Sequence, residues 1–114
     1  MAIVLESRPQ QANAVLIFDE VDTGISGKTA DIVGDKLKQL ATYNQTICIT
    51  HLPQVACKAN HQLRVSKSTS VNSKVKLDYL DTEARVIELA RFLSGKKITH
   101  ESLANARVML EDSA

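Results

Sequence analysis

Apolar and polar positions follow two rhythms along this chain, one short and unbroken, the other spaced by three and four. Val15-Leu16-Ile17-Phe18 is an apolar run closed by Asp19-Glu20 and a polar turn, and Thr46-Ile47-Cys48-Ile49-Thr50 is a second such run. Short apolar runs bounded by turn signals predict strands covered on both faces, as in a parallel sheet. Between them Ala30, Ile32, Val33, Leu37, Leu40 and Ala41 fall mainly on one face of a helix over about 27–42. Ser26 is its N-cap, and Lys28, Asp31, Asp35, Lys36 and Lys38 supply polar positions. Strand, helix and strand in that order predict a right-handed crossover and a parallel pair.

Leu52-Pro53-Gln54 then opens a short helix over about 53–59, with proline at a first helical position. Residues 61–67 and 73–80 alternate apolar with polar and predict a hairpin with one face buried and one wet. Asp81 or Thr82 caps a helix over about 83–93, with Val86, Ile87, Leu89, Ala90 and Leu93 inward and Arg85, Glu88 and Arg91 outside. Gly95 stops it. Thr99 caps a last helix over about 100–111, with Leu103, Ala106, Val108, Met109 and Leu110 toward a core. At the start, Ala2-Ile3-Val4-Leu5 reads as the end of a helix, and Pro9 to Asn13 as a connector.

A chain of 114 residues suits a single domain. Its 44% hydrophobic content allows a core, while 4% aromatic content makes that core aliphatic and leaves few rings for stacking bases. The net charge of +1 offers no global attraction to nucleic acid or an anionic membrane. Cys48 and Cys57 sit in or beside apolar runs without CxxC spacing, which predicts two buried thiols in a reducing compartment. No apolar run approaches the ~18 residues of a membrane span. The first residues lack the basic start of a signal peptide. The expected location is cytoplasmic.

Three features converge on one sheet edge. Parallel strands deliver Asp19 with Glu20, and His51, to the same carboxyl end, where such sheets bind ligands. Magnesium prefers few carboxylates plus waters and phosphates, which suits Asp19 alone. Glu20 is the candidate general base, and a neutral His51 could hydrogen-bond a terminal phosphate or its attacking water. Taken singly, each has a plainer reading: a strand ending in two solvated acids, and a histidine capping the edge. No GxxxxGK[ST] loop is present to cradle phosphates. Gly24-Ile25-Ser26-Gly27-Lys28-Thr29 has two residues between its glycines where four are needed. A zinc site from His51, Cys48, Cys57 and His61 matches no usual spacing.

Leu16 to Gly27, together with Ile49-Thr50-His51-Leu52-Pro53-Gln54-Val55-Ala56, closely resembles the C-terminal part of the RecN family of DNA repair proteins. Those are bacterial relatives of the structural-maintenance-of-chromosomes (SMC) ATPases, with an ABC-type head. Arg85-Val86-Ile87-Glu88-Leu89-Ala90-Arg91-Phe92-Leu93-Ser94-Gly95 and the last helix also look like that family's tail, so the resemblance spans nearly the whole chain. It implies an α/β fold, the C-terminal half of a P-loop ATPase head of ABC/SMC type. Parallel strands with a crossover helix, a β-hairpin and two C-terminal helices would form its C-terminal lobe over residues 1–114.

By that resemblance Asp19 is the Walker B aspartate holding Mg²⁺, through water, and Glu20 is the catalytic carboxylate. His51 becomes the switch-loop histidine that senses the terminal phosphate. Asp22, Thr23, Gly24 and Ser26 belong to the D-loop, which meets a second head across an ATP sandwich. The implied cofactors are ATP and Mg²⁺, and the implied partners are the N-terminal ATPase lobe, a second head, and DNA through the full-length protein. The implied setting is the bacterial nucleoid and double-strand break repair.

The family's Walker A motif, coiled coil and Ser-Gly-Gly signature precede the matching segment and are not in this chain. Met1 to Arg8 resembles the remnant of the helix after the signature, which implies a cloned fragment or a truncated reading frame. The chain alone is expected to be inactive. A different class of function is a truncated head acting as an interaction module, since an uncovered sheet edge favours association. A helicase of the Asp-Glu-x-Asp type fits Asp19-Glu20-Val21-Asp22, but Ile49-Thr50-His51 stands where a Ser/Thr-Ala-Thr motif belongs.

Overall fold

β-Branched and aliphatic residues at Val15, Ile17, Ile47 and Ile49 suit an extended backbone, and the computed structural model forms two strands there. It describes residues 15–19, 24–69, 71–95 and 97–113. The readings for residues 1–13, and for Glu20, Asp22 and Thr23, lie outside the described residues. The chain divides into two compact units, Met1–Lys58 and Ala59–Ala114.

In the first unit, β1 (Val15–Asp19) leads to α1 (Gly27–Leu40), β2 (Gln45–Ile49) and the short α2 (Pro53–Ala56). β1 and β2 pair in parallel, from Val15 opposite Gln45 to Asp19 opposite Ile49. The expectation that both faces of these strands are covered is corrected. Leu16, Phe18, Thr46 and Cys48 are half-buried, whereas Val15, Ile17, Ile47 and Ile49 are exposed, Ile17 at 67%. Side chains alternate between faces, and a single crossover helix can lie on only one of them. The other face keeps its apolar residues in the open.

α1 begins at Ser26, whose hydroxyl accepts a long bond from the Thr29 amide at 3.5 Å. Its fully buried positions are small residues, while Val33, Leu37 and Leu40 are half-buried. Ala30 and Gly34 are buried, and Ile32, expected inside, is exposed. The small face allows α2 to approach closely, and Lys58 reaches Asp35 at 3.1 Å.

In the second unit, β3 (Leu63–Lys67) and β4 (Val75–Tyr79) form an antiparallel hairpin, Leu63 opposite Tyr79 and Lys67 opposite Val75. Here too an expectation turns around. The apolar face of Leu63, Val65, Val75, Leu77 and Tyr79 is exposed, and the polar face carrying Arg64, Ser66 and Asp78 is half-buried. The polar face is held by its own pairing: Arg64 reaches Asp78 at 3.5 Å, and Lys76 reaches the same carboxylate at 3.6 Å. Gln62, just before β3, is buried and accepts from the Arg85 guanidinium at 3.3 Å, which also donates to the Ala59 carbonyl at 2.9 Å.

α3 (Thr82–Ser94) starts at Asp81, whose carboxylate accepts from the Ala84 amide at 2.8 Å. α4 (His100–Asp112) starts at Thr99 with a reciprocal box: Ser102 N–H donates to the Thr99 hydroxyl, and Thr99 N–H donates to the Ser102 hydroxyl. These two helices pack together around Val86, Leu89, Ala90 and Ala106, all almost wholly buried. Ile87, Leu93 and Val108, expected inward, are exposed. Glu88, expected outside, is buried at 5% and accepts from Arg91 at 2.6 and 2.7 Å. Among the described residues no helix is long and apolar enough to cross a membrane.

Candidate nucleotide site at the parallel sheet edge

The register of the parallel pair decides what shares an edge. Asp19 ends β1 opposite Ile49, which ends β2, so Thr50 and His51 leave the sheet beside the end of β1. Asp19 and His51 are both exposed. Thr50 shapes the exit of β2: its hydroxyl accepts from the Leu52 amide at 3.1 Å, turning the backbone from strand into α2. Pro53 then takes the first helical position, where its missing N–H costs nothing.

The other approach to the edge is the loop into α1. Gly24 has a φ of +78°, a conformation costly for a residue with a Cβ. Ser26 follows as the N-cap, its hydroxyl 3.2 Å from that of Thr29. Glu20, Asp22 and Thr23 belong to this loop in sequence and lie outside the described residues, so the structure brings together Asp19, Gly24, Ser26 and His51 from the expected set only at the level of neighbouring elements.

The sequence places Gln54 at the opening of α2 and gives it no role at the site, yet it links α2 to α1. A Cβ added at Gly27 would stand 3.2 Å from Gln54 Nε2, and one at Gly34 would stand 2.9 Å from the Gln54 backbone oxygen. Gln54 Oε1 is buried and has no hydrogen-bond partner among the described residues. The legible signal was Gly27, Ala30 and Gly34 at helical spacing, a row of small side chains that marks a close helix approach. Cys57 is buried and Cys48 half-buried, both as thiols.

Among the described residues no group of three or more His, Cys, Asp or Glu could hold a metal ion. One exposed carboxylate at the carboxyl edge is the donor set at hand. A lone carboxylate among the described residues suits a hard cation that takes most of its ligands from water and phosphate.

Comparison with known proteins gives the edge its context. The chain is 50% identical over 112 residues to the DNA repair protein RecN of Haemophilus influenzae, a match covering 97% of this chain and 20% of that protein. It is 51% identical over 96 residues to RecN of Vibrio cholerae, covering 83% and 17%. RecN of Xylella fastidiosa is 42% identical over 113 residues, covering 98% and 20%. This chain matches the C-terminal part of RecN. It spans about a fifth of the length of the RecN relatives it matches. No family model matches it. A solved SMC ATPase, described for its ATP-driven dimerization and DNA-stimulated activation, shares the fold at a TM-score of 0.60 and 20% identity. That match covers 73% of this chain and 50% of the solved one. The α/β fold, with its parallel pair, antiparallel hairpin and C-terminal helices, is the one shared with that solved protein, and the RecN resemblance read from the sequence holds.

Proposed function

We propose that this chain is the Walker B, D-loop and switch-loop portion of a RecN-type ATPase head, catalytic only when another stretch of polypeptide supplies the phosphate cradle. The observation that carries the reading is the register of Asp19 against Ile49, which sends His51 out of the sheet beside the end of the acidic strand. RecN relatives about five times longer than the matched stretch, and an SMC ATPase that extends well beyond the shared fold, support it.

In this reading Asp19 would hold Mg²⁺ through water. Bound ATP with its cation supplies the scissile phosphoanhydride and neutralises charge on its oxygens. Glu20, the next residue in sequence, orients a water and takes its proton. His51 donates a hydrogen bond toward the terminal phosphate and is the group that distinguishes triphosphate from diphosphate. Asp22, Thr23, Gly24 and Ser26 form the loop that meets a second head, so that two heads close on ATP and part after hydrolysis. The wider role is DNA repair, with DNA engaged by the longer protein.

The open face of Val15, Ile17, Ile47 and Ile49 supports an N-terminal lobe as the missing cover, since an apolar patch of this kind marks an interaction surface. The same face supports a second reading, a non-catalytic interaction module. The two part on one experiment. In a RecN-length protein carrying this segment, Glu20→Gln is expected to abolish ATP turnover while ATP still binds. Turnover at the parent rate would overturn the enzymatic reading and leave the interaction module.

A further inference from the structure

Charge is not spread evenly along this chain. Residues 61–80 hold four cations, Arg64, Lys67, Lys74 and Lys76, against the single carboxylate of Asp78. The rest of the chain holds ten Lys and Arg against twelve Asp and Glu. The near-neutral total thus conceals a basic hairpin on a slightly acidic body. From Val65 to Leu77 there is no acidic residue at all.

The structure places that charge at the end of the ribbon. Asp78 engages Arg64 and Lys76, while Lys67 and Lys74 make no ion pair among the described residues. Lys67 is the last residue of β3, opposite Val75, and the Lys74 carbonyl extends the ladder by accepting from the Ser68 amide at 2.9 Å. Lys67, Lys74 and Lys76 are all exposed. Lys76 lies opposite Ser66, one step from the Lys67–Val75 pair, so Lys67 and Lys76 occupy opposite faces of the ribbon.

We propose that this hairpin end binds the phosphodiester backbone of duplex DNA, with Lys67, Lys74 and Lys76 as the phosphate-contacting groups. A two-stranded ribbon fits within the major groove of B-DNA, about 12 Å wide. Inside it, cations on both faces of the ribbon meet a phosphate wall on each side. An acidic peptide laid along one face would use only one set. Lysines act as point charges without the bidentate fork that reads a base, so the contact is independent of sequence. The choice of DNA as the polyanion rests on the repair-protein reading above; the anion-binding ribbon end does not.

The test is fluorescence anisotropy of a labelled ~20-base-pair duplex titrated with the 114-residue chain, without nucleotide, at several salt concentrations. Three phosphate contacts predict an affinity that falls about 40-fold between about 50 and 200 mM salt. Lys67→Gln with Lys74→Gln should reduce that fall to about three- to fourfold. Both positions are exposed, and an unchanged circular dichroism melt confirms folding. Lys28→Gln with Lys36→Gln, which removes the same charge from α1, should leave the salt dependence as it was. A salt dependence unmoved by the hairpin variant, or no binding by the parent chain, overturns the proposal. Poly-glutamate competing as well as duplex overturns the assignment to DNA. Because ATP is absent, failure here is distinct from failure of the ATPase reading, which is decided by Glu20→Gln.

Discussion

The backbone oxygen of Gln54 lies 2.9 Å from the place where a Cβ on Gly34 would stand. Lys58 Cγ is as close, and Val55 Cα is at 3.4 Å. Lysine can swing aside, but a helix backbone cannot. Alanine would normally gain about 1 kcal/mol over glycine inside a helix. Overpacking a tight contact costs about 1–3 kcal/mol, and here it should win. Gly34→Ala is expected to lower stability by up to about 2 kcal/mol, read as a lower urea midpoint at unchanged slope. A raised midpoint would show that α2 yields without cost.

Glu88 makes the second case, because its carboxylate is buried and answered by a half-exposed arginine one turn on. Removing the arginine strands a desolvated charge, whereas neutralising the acid does not. Arg91→Ala should therefore destabilise by about 1–2 kcal/mol, discounted for the exposure of the guanidinium. Glu88→Gln should cost less. Equal effects in thermal unfolding would mean that the pair is not the source of the stability.

Acid sensitivity should have an identifiable contributor between α3 and α4. The guanidinium of Arg107 donates to both carboxylate oxygens of Glu83, at 2.9 and 3.1 Å. Those hydrogen bonds, and then the arginine's charge, hold Glu83 below the usual carboxylate range. A folded-state value below the unfolded one stabilises the fold above the unfolded pKa, and that stabilisation is lost as pH falls through the folded value. Glu83→Gln should therefore flatten the acid limb of the melting temperature plotted against pH. Both groups are exposed, so high salt should shrink the difference between parent and variant. An identical acid limb in the two proteins would contradict the assignment.

The order and kind of the elements were legible because periodicity and capping agreed at each step. Ser26, Asp81 and Thr99 all cap the helices expected of them. The parallel pairing followed from the crossover rule, and with it the shared edge of Asp19 and the Thr50-His51 exit. Burial was less legible. An apolar residue records what a position can bury, not what is present to bury it. Ile17 and Ile47 read as core and stand open, since one crossover helix covers one face. On the hairpin, Leu77 and Tyr79 read as inward, while the pairing of Arg64 with Asp78 occupies the half-buried side. Glu88 reads as solvated because an acid on a helix usually is; its burial depends on Arg91, whose partner choice periodicity does not encode. The site residues Glu20, Asp22 and Thr23 rest on sequence and resemblance alone.

ATP turnover by a RecN-length protein carrying His51→Ala in this segment tests the shared edge most directly. On the proposed reading, in which His51 faces the terminal phosphate, its removal should cost about ten- to a hundredfold in kcat, with the KM for ATP within about twofold of the parent. An undiminished kcat would mean that the edge where β1 and β2 end is not where the chemistry occurs.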